Sequence, residues 1–292
     1  MKSPPFAYAK PSSLPEALSL LAEHGDDAKI LAGGQSLIPA LNMRLSEPRL
    51  LVDINGLNAL EAIHRTGSGI RIGALARHVS VAASTEVGDV CPLLHEAVPH
   101  IAHAAVRNRG SFGGSIGHAD PAAELPACIL ALDGRLQIAS AHGERSLLAK
   151  DFFRGLFTTA LAPEEMILAV DIPLAHPSRR FAFEEIARRR GDYALVGIAA
   201  AANIISGRMS DTRLACFGVA DTPILAARTA LICEGRTLDD DLLHETQESI
   251  AAEIDPRGDV SCSSATRSHL LRVLLVRVLK RLGVERVHEP AA

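Results

Sequence analysis

No tryptophan occurs in these 292 residues, and eight Phe and two Tyr make up the aromatic complement. A flat ring held by stacking would find few side chains to lie against, which draws attention to each tyrosine. Cysteine is equally sparse. Cys91, Cys128, Cys216, Cys233 and Cys262 are scattered, with no C-x-x-C and no C-x-x-C-H, so neither a cysteine-ligated iron–sulfur cluster nor a zinc site is indicated and any redox centre on this chain is organic. Paired carboxylates, Ser-His-Asp ordering and metal-ligand spacing are also missing, so no catalytic residue and no metal ligand is assigned. Charge of one sign is lacking: 30 Lys and Arg against 34 Asp and Glu, interspersed, leave a net −4 and no basic face for nucleic acid. The longest apolar run, ALVGIAAAANII from Ala194 to Ile205, falls short of the roughly 20 residues of a membrane-spanning helix and suits a buried strand. The opening MKSPPFAYAKP has no apolar signal core and no arginine pair, so a cytoplasmic location is expected.

What is present is the composition of an ordinary globular protein, 48% hydrophobic and 22% charged, at a length that suggests about two domains. Ser13-Leu14-Pro15-Glu16 reads as a capping box opening a helix that ends near Gly25. Lys29 to Ala32 reads as a short strand that runs into Gly33-Gly34-Gln35-Ser36 and then a helix carrying Leu37, Ile38, Leu41 and Met43. Strands are expected at 50–54 and 70–74, helices over 92–103 and 122–132, and a break of chain direction at the glycine-rich stretch between them. Beyond the polar, proline-marked stretch at 174–178, runs near 179–188, 194–205 and 213–219 suggest a three-stranded antiparallel sheet, and 269–282 a closing helix.

Two glycine segments carry the chemistry. A dinucleotide pyrophosphate can be held without lysine by successive backbone N–H groups turned toward it at a helix start, and glycine permits that approach. In Ala32-Gly33-Gly34-Gln35-Ser36 the Ser36 hydroxyl could cap the next helix or bond a phosphate oxygen, although an ordinary strand-to-helix turn would have the same spacing. The segment is not G-x-G-x-x-G and has no acidic residue in the ribose-binding context, so a nicotinamide-type site is not supported. About 75 residues on, Gly110-Ser111-Phe112-Gly113-Gly114-Ser115-Ile116-Gly117 places four glycines in eight residues, followed by His118-Ala119-Asp120-Pro121-Ala122-Ala123-Glu124. It reads as a second wall of the same cofactor or as a hairpin needing several positive backbone angles.

Together, AGGQSLIP and RNRGSFGGSIGHADPAAELP closely resemble the FAD-binding loops of flavoprotein subunits in the carbon monoxide dehydrogenase and xanthine dehydrogenase family. The resemblance continues through Asp151-Phe152-Phe153, Thr158 to Leu161 and Arg188-Arg189-Arg190-Gly191-Asp192-Tyr193-Ala194, and so covers nearly the whole chain. One departure is Ser111-Phe112 where the family more often has threonine and a β-branched aliphatic; Ser111 keeps the hydroxyl, while Phe112 adds bulk beside the cofactor channel.

The resemblance implies an α+β chain: a two-subdomain FAD-binding domain of the vanillyl-alcohol-oxidase (PCMH) type over residues 1–177, with an internal boundary near 55–60, then a smaller α+β domain with an antiparallel sheet over 178–292. It implies that the segment from Leu31 and Ala32 through Gly33, Gly34, Gln35, Ser36 and Leu37 gives backbone amides and the Ser36 hydroxyl to the pyrophosphate. Gly110, Ser111, Gly113, Gly114 and Ser115 would approach from the other side. Ile101 and Ala102, with Asp120 and Glu124, would line the flavin or its ribityl chain, the two carboxylates accepting hydroxyl hydrogen bonds. Ile167 would meet the adenine end through its main chain, and Tyr193 would cover one face of the isoalloxazine. The FAD is expected to be noncovalent, with no role given to His118, and the Arg188–Arg190 run is read as a solvated face or as pairing with Asp192 or an acidic partner surface.

In such complexes substrate is hydroxylated at a molybdenum cofactor on a large subunit, electrons cross 2Fe-2S clusters on a small subunit, and FAD passes them to an acceptor. The resemblance gives this chain the last link, within a heterotrimer or a dimer of heterotrimers, and leaves substrate recognition to another subunit. Its rivals are a self-contained flavin oxidase, for which no substrate cavity or base is visible, and a flavin-free structural or regulatory subunit that keeps the loops as turns.

Overall fold

A computed structural model describes residues 2–283, so residues 284–292 of the expected C-terminal domain lie outside the described residues. The chain opens with β1 (Ala7–Ala9), α1 (Leu14–His24), β2 (Ala28–Leu31), α2 (Leu37–Asn42) and β3 (Leu50–Asp53). The three strands form a parallel sheet in the order β1-β3-β2, onto which α1 packs Ala17, Leu18 and Leu21. The Ser13 hydroxyl accepts from the Glu16 N–H at 3.3 Å as a capping box requires, but the return bonds to Glu16 Oε2 come from the Ser12 N–H and hydroxyl at 2.7 and 2.9 Å. The box is thus shifted by one residue on its return side.

The next stretch runs β4 (Ile63–Thr66), β5 (Gly69–Gly73), α3 (His78–Ala83), α4 (Thr85–Val90), α5 (Pro92–Ala97), α6 (Ala104–Arg107), α7 (Phe112–His118), α8 (Glu124–Ala131), β6 (Arg135–Ser140), β7 (Gly143–Leu148), β8 (Phe153–Gly155), β9 (Thr158–Thr159) and β10 (Met166–Pro173). The sheet order β4-β5-β10-β6-β7 is antiparallel, and β10 closes it by entering between β5 and β6. Two expectations change here. The glycine-rich segment is a helix, α7, and none of its glycines has a positive φ, so the hairpin alternative falls. Packing overrides glycine's weak helix propensity: a Cβ on Gly113 would sit 2.5 Å from the Ala74 Cβ, so only a helix without side chains on that face can lie so close to β5. In addition α8 begins at Glu124 rather than Ala122, because Asp120 Oδ1 accepts the Ala122 N–H at 2.8 Å and holds an Asx-type turn outside the helix.

The last unit is β11 (Arg179–Ala187), β12 (Ala194–Ile205), β13 (Arg208–Phe217), β14 (Ile224–Leu225), α9 (Ala227–Cys233), α10 (Asp240–Glu253) and α11 (Ser264–Gly283). Its antiparallel sheet has four strands in sequence order rather than three; β14, two residues long, is too short to show an alternating pattern. The unbroken apolar run of β12 has a direct cause. Val196, Ile198, Ala200 and Ala202 face one core with α11, while Ala194 and Ala199 face the other core with α8, so both sides of the strand are covered. Every residue of α8 is buried, which makes this helix the shared wall between the two sheets. Among the described residues no helix is long and apolar enough to cross a membrane.

At the centre of that wall Gly197 lies against Phe217, itself stacked on Phe183 with ring centroids 5.7 Å apart. A Cβ at Gly197 would fall 2.0 Å from the Phe217 ring, which is fully buried and has no room to move. Gly197→Ala is expected to destabilise the chain by about 1–3 kcal/mol, read as a lower denaturant midpoint; an unchanged midpoint would show that the aromatic pair can repack.

Candidate functional site

The two glycine segments meet directly. A Cβ on Gly33 would lie 2.5 Å from the Arg109 carbonyl oxygen and 2.8 Å from the Gly110 Cα, so the turn after β2 touches the turn before α7 backbone to backbone. Gly34 adopts φ +72°, a conformation that favours glycine. Beside this contact opens a cleft of about 430 Å³ lined by Leu31 to Gln35, Ile38, Pro39, Asp53, Asn55 and Arg109. Among the described residues, none of the backbone N–H groups from Gly33 to Leu37 has a protein acceptor, and the Ser36 hydroxyl makes no cap bond to α2. Across the contact the N–H of Gly114 is likewise without an acceptor, and the buried Ser111 hydroxyl has no partner.

Unpaired donors beside a cleft and a buried hydroxyl with nothing to bond are costly unless an acceptor arrives. A doubly negative pyrophosphate meets that need with oxygen acceptors only, so the residues present fit FAD. The neighbouring glycines have separate roles. Gly114 is exposed toward Ala32, where a Cβ would come within 3.9 Å of the Ala32 Cβ, whereas Gly113 is buried on Ala74 and serves packing. Ser115 spends its N–H on Ser111 O at 3.0 Å. Phe112 is fully buried in the larger core, its N–H on Ala76 O, so its bulk is absorbed there and not beside the channel.

Several residues that sequence reasoning missed hold this contact. Asn55 donates from Nδ2 to Ala32 O at 2.8 Å; Arg77 donates to Asn55 Oδ1 at 2.6 Å and, through its other terminal nitrogen, to Arg109 O at 2.5 Å. One side-chain chain therefore ties both turns. Asp53 orients Asn55 and receives the Tyr8 hydroxyl; burial works against its ionisation, but the bonds from Tyr8 and Asn55 hold its carboxyl below the usual range. His78 supports Gly110 from beneath, and burial, followed by the charges of Arg77 and Arg107, pushes its imidazole down to about 4, so the ring is neutral. A faint signal existed, since Asp53-Ile54-Asn55-Gly56 ends a strand, but nothing in the spacing linked it to Arg77.

The remaining expected residues gather at a second place, where the C-terminal unit comes in. Ala102 has φ +42°, and Arg107 donates to the Ile101 and Ala102 carbonyls, both at 2.8 Å, which fixes that strained turn. Gly191, φ +78°, packs on it so closely that a Cβ would be 2.6 Å from Ala102 O. This seats the 188–193 loop, in which Arg188 pairs with Asp192 at 3.4 Å. Tyr193 as a residue is 68% exposed, yet its hydroxyl is held above the usual range, first by partial desolvation and then by the charges of Asp120, Glu124 and Asp192. Glu124 is buried, and burial, then the charge of Glu185, pushes its carboxyl up to about 8, so at neutral pH it offers a proton where an acceptor was expected. Burial lowers the pKa of His118, whose ring packs against Phe157 at 5.0 Å. Ile167 is buried in β10 with its side chain toward Gly117, joining the sheet to α7.

Asn55→Ala leaves the Ala32 carbonyl and the Arg77 guanidinium short of a partner, and is expected to cost on the order of 1–3 kcal/mol in urea denaturation. A double variant with Arg77→Ala should then lose less than the sum of the single losses; full additivity would mean that the two side chains do not act as one bridge.

Comparison with known proteins shows the family. Residues 4–175 match the family model of the FAD binding domain in molybdopterin dehydrogenase, and residues 181–282 match that of the CO dehydrogenase flavoprotein C-terminal domain. The chain is 39% identical over 282 residues to the 6-hydroxypseudooxynicotine dehydrogenase complex subunit alpha of Paenarthrobacter nicotinovorans, covering 96% of this chain and 95% of that one. It superposes with a TM-score of 0.94 on a chain of the carbon monoxide dehydrogenase of Hydrogenophaga pseudoflava that lacks the Mo-pyranopterin moiety, at 32% identity over 97% and 98% of the two chains. A chain of quinoline 2-oxidoreductase from Pseudomonas putida 86 gives 0.92 at 37% identity, over 97% and 98%. With both family models matched in order along the chain, this protein belongs to the FAD-binding medium subunits of the molybdenum hydroxylases.

Proposed function

We propose that the cleft beside Gly33 holds the pyrophosphate of one noncovalently bound FAD, and that the flavin end reaches the joint formed by Ala102, Asp120, Glu124 and Tyr193. The observation that carries this reading is the run of N–H groups from Gly33 to Leu37 without acceptors, opposed by the unpartnered Ser111 hydroxyl and the Gly114 N–H. Bound there, FAD supplies the redox centre that passes electrons from a partner's iron–sulfur clusters to an acceptor.

The chain's own residues do the rest. Backbone amides offset the phosphate charge without a desolvated lysine. Arg77 and Asn55 fix the spacing of the two walls, and neutral His78 fills the space under Gly110. Arg107 holds the Ala102 turn in place, and Tyr193 covers one side of the ring. The reading places Leu31 to Leu37, Gly110 to Ser115 and Ile167 toward the dinucleotide, although Gly113 serves it through packing.

Membership in the family implies iron–sulfur and molybdenum partner subunits; we take the assembly to be a heterotrimer or its dimer, in the cytoplasm. We also take the chain to divide near residue 177, with a lesser division near 55–60 between β3 and β4.

The test is to express the chain, record its visible spectrum before and after acid precipitation, and weigh what is released. One FAD per chain, freed by acid, is expected, and a colourless folded protein would favour the structural-subunit reading. Gly33→Val and Gly114→Val are expected to lose flavin while keeping the far-ultraviolet dichroism of the parent; unchanged flavin content in both would sink the assignment of the cleft.

A further inference from the structure

The side of α7 turned away from the core carries more than its glycines. Ser111, Gly114 and His118 follow one another at intervals of three and four residues, so they stand on one stripe of the helix, opposite the buried Phe112, Gly113 and Ile116. The head of the stripe belongs to the cleft: Gly114 looks toward Ala32, and the Ser111 hydroxyl, where a Cβ on Gly114 would lie 2.6 Å away, has no partner. His118 stands one helical turn further on, about 6 Å along the axis from Gly114, and two residues before Asp120.

What lies over the stripe at His118 comes from another element. The hairpin of β8 and β9 turns at Leu156-Phe157, and the Phe157 ring packs on the His118 ring with centroids 5.0 Å apart and planes 34° from parallel. Both tip residues are 53% exposed, and among the described residues neither joins a core cluster, so burial does not anchor the tip. Phe157 nevertheless holds φ +52°, a left-handed conformation that a bulky side chain disfavours. Local bonds keep it there. The Thr158 hydroxyl donates to Leu156 O at 3.0 Å, the Ala160 N–H to Phe152 O at 2.8 Å, and Arg145 to Ala160 O at 2.7 Å while it pairs with Glu165 at 2.6 Å. Burial lowers the pKa of His118, so its ring meets Phe157 as a neutral, flat surface. A strained turn held so that an aromatic side chain overhangs a helix face, with half of that residue in water, is a wall whose second side is open.

We infer that His118 and Phe157 form an aromatic retaining wall for FAD, closing over the stretch of dinucleotide that leaves the pyrophosphate cleft along α7 toward Asp120. The inference rests on the FAD reading above and gives it two side chains beyond the backbone donors. Those donors hold charge and offer nothing to the apolar parts of the ligand, whereas Leu156 and Phe157 present an apolar ledge. A cofactor lying along the stripe buries the free side of Phe157, and that burial, with the His118 contact, offsets the strain of the turn. The wall therefore acts on how long FAD stays bound.

Two measurements test this. Phe157→Gly removes the ring and suits the left-handed backbone, so the variant should keep the parent's far-ultraviolet dichroism. It should release FAD at least about tenfold faster than the parent, read as the rise of flavin fluorescence after dilution, and His118→Ala should speed release in the same direction. In the full chain carrying ring-labelled phenylalanine, the NMR signal missing from Phe157→Gly should move on titration with FAD. Release at the parent rate from both variants, or a Phe157 signal that FAD leaves in place, overturns the wall. A parent chain that takes up no FAD overturns the cofactor reading and the wall together, so the flavin content of the parent tells the two failures apart.

Discussion

The approach of Gly33 to the Arg109–Gly110 backbone is the constraint on which the site depends. At 2.5 Å from a carbonyl oxygen to where a Cβ would sit, no side chain fits between the turns. The turn after β2 and the turn before α7 can therefore present main-chain donors to a common space. The same demand propagates outward. Gly110 must clear His78, and Gly113 must clear Ala74, so α7 is pressed onto β5 by residues that lack side chains. The Ala32 and Arg109 carbonyls at the contact need donors, and Asn55 and Arg77 provide them from the ends of two further strands. What reads as a glycine motif is thus a four-segment junction in which the glycines clear space and polar side chains set the distance.

The second half of the site depends on a different device. Ala102 occupies a left-handed conformation that its Cβ disfavours, and it stays there because Arg107 binds two successive carbonyls and Gly191 seats the C-terminal loop on the turn. Strain is tolerated at a point where two packed bodies meet and over-determine the backbone. Helix α8 completes the joint: buried along its whole length, it shares side chains with both sheets, and the Gly218 N–H bonds the Pro121 carbonyl just ahead of it at 2.8 Å. The C-terminal unit is therefore a structural wall of the site as well as a separate fold.

Much of this was legible in the sequence where local rules act alone. The first helix with its Ser13 start and Gly25 stop, the strand before Gly33 and the long apolar strand at Ala194 all follow from capping, turn and periodicity rules. The glycine-rich helix α7 was illegible because its stability comes from a partner surface, Ala74 and Ala76, that no local window contains. The exposed hairpin strand β7, which alternates weakly, and the two-residue strands also left no pattern to read. At the site, residues carried by motif were visible, and those carried by tertiary geometry were not. Asn55, Arg77, His78 and Arg107 act through contacts spanning from five to more than thirty positions, with nothing in their neighbours to mark them.

The two ends of the site differ in what they offer a ligand. At the Gly33 end unpaired N–H dipoles and hydroxyls line the cleft together with Asp53 and Arg109, with Arg77 already spent on carbonyl oxygens. At the Ala102 end stand Asp120, Glu124, Glu185 and Asp192, with the adjacent cations committed elsewhere. A pyrophosphate placed at the second end would meet the carboxylates of Asp120 and Asp192 in a partly desolvated space, where repulsion is stronger than the same charges would feel in water. On the reading proposed above, the unpaired amides at the first end and the acidic groups at the second together keep the pyrophosphate at the Gly33 cleft.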